Sequence, residues 1–294
     1  MEIFGLSTSA LLSQLLLGLV NGSFYAILSL GLAVIFGLLN VINFSHGAMF
    51  MLGAIVTWMA GQYFGLNYWA MLLLAPLVVG AIGVVIERLL LRHLYQLDHL
   101  YGLLLTFGLT LFIEGILRSI YGSSGLPYST PELLTGATDL GFMMLPNYRA
   151  WVVFASLSVC FVTWYVIEKT KLGSYLRAGT ENPKLVQAFG INFPLMMTLT
   201  YAFGVGLAAF SGVLAAPIIQ ISPLMGSNLI IVVFAVVVIG GMGSILGSIL
   251  TGLGLGLIEG LTKVFYPEAS NTVVFAIMAI VLLFRPAGLF GREK

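Results

Sequence analysis

A chain of 294 residues that is 60% apolar and only 8% charged, with a net charge of +1, excludes a soluble globular domain, in which roughly 25% of residues are charged. The bulk solvent is lipid, and no nucleic-acid partner is expected from so balanced a charge. Backbone groups in hydrocarbon must be satisfied within helices or a closed barrel, and long apolar runs without period-2 alternation select helices. The expected fold is therefore all-α: a polytopic integral membrane protein with about 8–9 transmembrane helices in a single transmembrane domain over 1–294.

A crossing needs about 20 predominantly apolar residues. In chain order the predicted spans are 12–36, 46–62, 68–91, 101–120, 150–167, 196–217, 228–241, 244–262 and 271–285. The count is eight or nine because 228–241 is short and the first run can break at Gly31 or Gly37. No Lys or Arg precedes that first run and it carries no small-residue cleavage site, so it reads as a retained anchor and not a removed signal.

Between the first two spans Asn40, Asn43, Ser45 and His46 form a polar knot. One reading is a helix N-cap from Asn43 or Ser45, which would satisfy the orphan amides of the next helix; the other places Asn43, Ser45 and His46 on a translocation path. In the span 101–120, Gly102, Thr106, Thr110, Glu114 and Arg118 recur every fourth residue and give that helix a polar stripe. Ionisable side chains inside a membrane face protein or water. The stripe is either a Glu114–Arg118 pair with threonines bonded to their own helix, or, through Thr106, Thr110 and Glu114, part of the same path.

The segment of about 121–149 is rich in Gly, Pro, Ser and Thr and contains no lysine, as expected of an irregular outer loop. Cys160 is the sole cysteine and falls within a span, so it packs and forms no intrachain disulfide. His46, His93 and His99 are far apart, with no acid or cysteine at ligand spacing. No metal and no cofactor are expected.

The chain then turns polar. Glu168, Lys169, Lys171, Arg177, Glu181 and Lys184 concentrate in one stretch, making about 168–195 a basic cytoplasmic loop. Within it Asn182 can cap, Pro183 fits the first helical position and Gly190 can terminate, which predicts a helix over 183–189 with Leu185, Val186 and Phe189 as its apolar members. Such a helix is too short to stand alone. It reads as a docking element for a soluble partner, the alternative being a loop resting on anionic headgroups. No P-loop consensus occurs in the chain, so any nucleotide is bound elsewhere.

Small residues mark helix packing: Gly240, Ser244, Ser248, Gly252, Gly256 and Gly260 fall every fourth position, as do Gly204, Ala208, Gly212 and Ala216, and Gly18, Gly22 and Ala26. The alternative for 240–244 is a moving hinge or a pathway lining. Glu259 and Lys263 are spaced for an interfacial i,i+4 pair. Orientation follows Lys and Arg in short loops: Arg88 and Arg92, the group from Lys169 to Lys184, and Arg285, Arg292 and Lys294 all belong on the inside, which puts 121–149 outside. The side of the N-terminus is open, Glu2 being the only charge before Glu87.

The run NGSFYAILSLGLAVIFGLLNVINFSHGAMFMLGA from Asn21 to Ala54, VLAAPIIQISPLMG from Val213 to Gly226, VIGGMGSILG from Val238 to Gly247 and LLFRPAGLFG from Leu282 to Gly291 together resemble the permeases of branched-chain amino acid ABC importers, in particular the first, high-affinity-system type. The resemblance runs end to end. It implies a permease subunit, not an enzyme, in a bacterial inner (plasma) membrane, moving leucine, isoleucine or valine inward by alternating access. It also implies the partners: a second permease subunit, two cytoplasmic ATPase subunits that hydrolyse the ATP, and a periplasmic binding protein. In that family the loop matching Arg177 to Asn192 is the ATPase-coupling loop, which assigns that role to Arg177, Glu181, Asn182, Pro183, Lys184, Ala188 and Gly190. Glu181, Ala188 and Gly190 stand where the family's acidic, alanine and glycine marks fall, and Glu181-Asn182-Pro183 departs from the Glu-Ala-Ala of wider ABC permeases. Other readings are an ABC permease for urea, an amide or another amino acid, and an ion-coupled secondary transporter built on Glu114. An intramembrane enzyme would need a nucleophile with its base, and no such set is visible.

Overall fold

The computed structural model describes residues 2–3, 6–39, 41–95 and 97–291. Within them the chain is almost entirely helical: α1 Thr8–Leu39, α2 His46–Phe64, α3 Tyr68–Leu89, α4 His99–Tyr121, α5 Asn147–Lys169, α6 Lys171–Glu181, α7 Pro183–Ala188, α8 Phe193–Ala215, α9 Met225–Gly240, α10 Ile245–Phe265 and α11 Val273–Phe284. Seven of these are long and apolar enough to cross a membrane, while α9 and α11 are shorter apolar helices. The all-α, polytopic expectation is borne out. Asn40 of the polar knot, and Arg292 and Lys294 of the orientation argument, lie outside the described residues.

The chain divides into two compact units. The larger takes 30–128 and 161–231, and its centre is α2 and α8. These helices touch backbone to backbone. A Cβ added at Gly53 would run into the Ala209 backbone, and one at Gly212 into the carbonyl of Phe50. Lipid tails are as apolar as leucine, so a lipid-embedded bundle is held by close van der Waals contact, which small residues allow. α3 packs against α8 in the same way, with Gly80 near Ala202, Gly83 near Val205 and Gly206 near Pro76. α1 joins through Gly31, which lies against Gly204 and the His46 ring.

The other unit takes 1–29, 129–160 and 232–294. Here Gly18, Gly22 and Ala26 of α1 meet Gly252, Gly256 and Gly260 of α10, so close that a Cβ at Gly256 would strike the backbone of Gly22. Ser29 Oγ donates to the Ser248 carbonyl at 3.1 Å. The expected six-residue stripe from Gly240 to Gly260 is interrupted, because α9 ends at Gly240 and α10 begins at Ile245. Gly240 packs on Gly247 across that turn, and Ser244 caps α10 by accepting from the Gly247 amide at 3.1 Å. The turn is bound by the chain's end: the Leu289 and Phe290 amides donate to the Ile239 and Gly240 carbonyls at 2.8 and 3.2 Å. Glu259, buried, receives Tyr25 OH at 2.7 Å and pairs with Lys263 at 2.5 Å.

The segment 121–149 is less irregular than expected. Ala137–Asp139 and Met144–Pro146 form a small antiparallel hairpin with Thr138 opposite Leu145, strands too short for their alternation to show in the sequence.

Gly212→Val should destabilise the fold by several kcal/mol, because its branched side chain must displace the α2 backbone. Gly108→Ala, whose Cβ meets nothing within 4 Å, should leave thermal unfolding of the detergent-solubilised protein unchanged or slightly raised.

Candidate functional site

Two places in the larger unit gather the polar residues of this oily chain. The first is the break between α1 and α2. Residues 41–45 leave the helix, and the Asn43 and Ser45 side chains bond each other there and not the backbone. Thr106 repairs the damage: its Oγ1 accepts from the Phe44 amide at 3.1 Å and lies 3.3 Å from the Ile42 carbonyl and 3.1 Å from that of Leu103, either of which it can donate to. Since Thr106 is about 10 Å along α4 from its His99 end at about 1.5 Å per residue, the break sits well inside the bundle. Asn43, Ser45 and His46 are all buried there.

The expected N-cap is not made. Ser45 holds the cap position but its side chain bonds no first-turn amide; it donates to Asn43 Oδ1 at 2.6 Å. Tyr201 of α8, which the sequence reading missed, is fully buried with its hydroxyl beside Asn43 and Ser45. Neither that hydroxyl nor Asn43 Nδ2 completes a hydrogen bond of acceptable geometry. Each such buried orphan costs about 1–3 kcal/mol. A lone tyrosine in the apolar run 196–217 was the one available signal.

Along α4 the polar stripe is the buried face: Gly102, Thr106, Thr110 and Glu114 turn inward. Thr110 Oγ1 donates to the Thr106 carbonyl at 2.9 Å. Glu114 does not pair with Arg118 among the described residues. Arg118 is exposed, and the Glu114 carboxylate accepts a hydrogen bond from Ser227 of α9. The physical reason is orientation, because a residue on the buried face is better served by a hydroxyl across the contact than by a neighbour whose cation reaches solvent.

A second buried acid was also missed. Glu87, 1% exposed, accepts from Tyr95 OH at 2.9 Å and from Thr198 Oγ1 at 2.7 Å. This ties the end of α3, the following loop and α8 together. Burial, reinforced by the Glu87 carboxylate, pushes the Tyr95 phenol well above its ordinary range, so it remains a donor. An acid inside the predicted 68–91 span was the legible clue.

The second place is the basic stretch. Its first part is helical as α6 and not the expected loop; Gly173 and Gly179 weaken helix propensity, and packing overrides it. Gly173 fits against the Ile167 backbone and Gly179 against the Phe193 ring. Arg177 reaches the Ile167 carbonyl at 3.3 Å and Glu168 at 3.5 Å, a half-exposed pair that contributes little. Asn182 caps α7 by accepting from the Leu185 amide at 3.0 Å. Pro183 takes the first turn, and Gly190 leaves at φ +81°, where a side chain would be strained. On α7 Val186 is buried, whereas Leu185 and Phe189 are 54% and 77% exposed one turn apart. Glu181, Lys184 and Ala188 are exposed too. No group of three or more His, Cys, Asp or Glu that could hold a metal occurs among the described residues.

The family model of the branched-chain amino acid transport system permease component matches residues 14–282. The chain is 31% identical to the high-affinity branched-chain amino acid transport system permease protein BraD of Pseudomonas aeruginosa, with 96% of each chain covered. It is 30% identical to the corresponding protein LivH of Escherichia coli, again with 96% of each covered. LivM of Escherichia coli, also a permease protein of the high-affinity system, is 26% identical over 92% of this chain and 68% of its own.

Thr198→Val should lower stability by about 1–3 kcal/mol, since it removes a donor from a buried carboxylate. Thr198→Ser should retain most of it. Thermal unfolding of the two variants beside the wild type measures the difference.

Proposed function

This chain belongs to the family of branched-chain amino acid transport system permease components, and we propose that it carries leucine, isoleucine and valine inward as one transmembrane subunit of an ABC importer. It is a multi-pass membrane protein and a transport subunit, not an enzyme. Its partners in this reading are a second permease of the LivM kind, two ATPase subunits on the inner face of a bacterial plasma membrane, and a periplasmic binding protein that delivers the solute on the side of 121–149.

The observation that carries the reading is the exposed apolar edge of α7. A surface pair such as Leu185 and Phe189, anchored from behind by Val186 and flanked by Lys184, suits the groove of a soluble partner. Capped by Asn182 and stopped at Gly190, α7 moves as a rigid piece. With α6 lodged against Ile167 and Phe193, force on α7 passes to the ends of α5 and α8. ATP binding and hydrolysis on the partner then shift the bundle between outward-open and inward-open states. Asn43, Ser45, His46, Thr106, Thr110 and Glu114, all buried, line the route in this proposal.

Phe189→Asp should leave the permease folded but cut ATP-driven uptake of labelled leucine more than tenfold in proteoliposomes holding the whole complex and its binding protein. The same variant should release the ATPase subunits during purification. Uptake that persists without the ATPases and collapses with the proton gradient would sink the proposal and favour ion coupling. Labelled alanine and urea, run in parallel, test the substrate class.

A further inference from the structure

We propose that the start of α2 binds the carboxylate of the amino acid in transit, through the Gly47 and Ala48 amides, the Asn43 side-chain nitrogen and the Tyr201 hydroxyl. The inference rests on the amino-acid importer reading above. A helix N-terminus presents unbonded N–H groups and a partial positive charge. At α2 the residue that should cap it, Ser45, is turned aside to Asn43 Oδ1. Beside this end lie two further polar groups, Asn43 at 1% and Tyr201 at 0% exposure, whose Nδ2 and OH have no completed hydrogen bond. Nδ2 and the amides are donors only, and the phenol can donate. Donors converging on a helix start call for an anionic oxygen ligand.

The site lies at depth, because Tyr201 stands about 12 Å along α8 from Phe193 at about 1.5 Å per residue. A small cavity lined by Leu39, Val41, Leu91, Tyr95, Asp98 and Gly102 ends two residues short of Asn43 along the chain. The charged group nearest the site shapes what it accepts. Glu87, bonded by Thr198 one turn below Tyr201 on α8, repels a bare anion and attracts an ammonium. The set therefore fits a zwitterionic amino acid, with its carboxylate at α2 and its amino group toward Glu87.

The test uses the detergent-solubilised importer complex without its binding protein, so that only the membrane site is read. Millimolar L-leucine should raise the melting temperature. Isoamylamine, which lacks the carboxylate, and 4-methylpentanoate, which lacks the ammonium, should raise it less. Tyr201→Phe keeps the ring and packing, and should weaken the leucine effect about tenfold in apparent affinity. Absence of a leucine effect in the wild type, an equal effect of isoamylamine, or an unchanged effect in Tyr201→Phe overturns the site. ATP-driven leucine uptake by the wild-type complex with its binding protein separates the two claims. Uptake without any leucine-induced shift overturns this site alone, whereas no uptake at all overturns the importer reading beneath it.

Discussion

A backbone that leaves the helix inside a membrane must find its hydrogen bonds within the protein, and the chain between α1 and α2 is where this molecule meets that demand. Residues 41–45 are held by the His46 and Met49 amides, which donate to the Asn43 and Ser45 carbonyls, and by Thr106 of another helix, which accepts from the Phe44 amide. Non-helical backbone at depth is tolerated only when buried in protein or lining a cavity. Helices α2 and α8 must therefore close tightly around the break, and the glycines at 31, 53, 204 and 212 permit it. The break also leaves the start of α2 beside Asn43 and Tyr201, whose Nδ2 and hydroxyl complete no hydrogen bond.

The two units solve packing with the same chemistry and place their acids differently. In the unit built on α10, Glu259 is neutralised by Lys263 and held by Tyr25, at the edge of a seam of glycines. In the unit built on α2 and α8, Glu87 and Glu114 receive hydroxyl groups from Thr198, Tyr95 and Ser227. Hydroxyl donors keep a carboxylate bonded without bringing a second charge into the low-dielectric interior, where an ion pair must offset a large desolvation cost.

α6 and α7 carry Lys171, Arg177, Glu181 and Lys184, yet the surface offered there is apolar at its centre, with Phe189, just past α7, the most open. A helix of six residues has no stability of its own; it persists because Asn182 and Gly190 close its two ends and Val186 anchors it. Asn192, four residues beyond it, caps α8 by accepting from the Leu195 amide.

The sequence by itself determined the helical membrane fold, the family, and the ends of several helices. These are local properties: hydropathy over a span, a capping Asn182 before Pro183, a motif read along the chain. Tertiary structure alone decided what each polar residue faces. Spacing by four left Glu114 either paired with Arg118 or on a polar path, and only the packing of α4 against α9 turns Glu114 to Ser227 and leaves Arg118 exposed. Ser244 and Gly240 shared the period of the α10 glycines, and the turn at 241–244 took them off that helix. Tyr201 and Glu87 gave almost no local signal, because Tyr201 lies beside Asn43 and Glu87 is bonded by Thr198, each more than a hundred residues away, and one-dimensional periodicity records which face a residue is on, not what lies across from it.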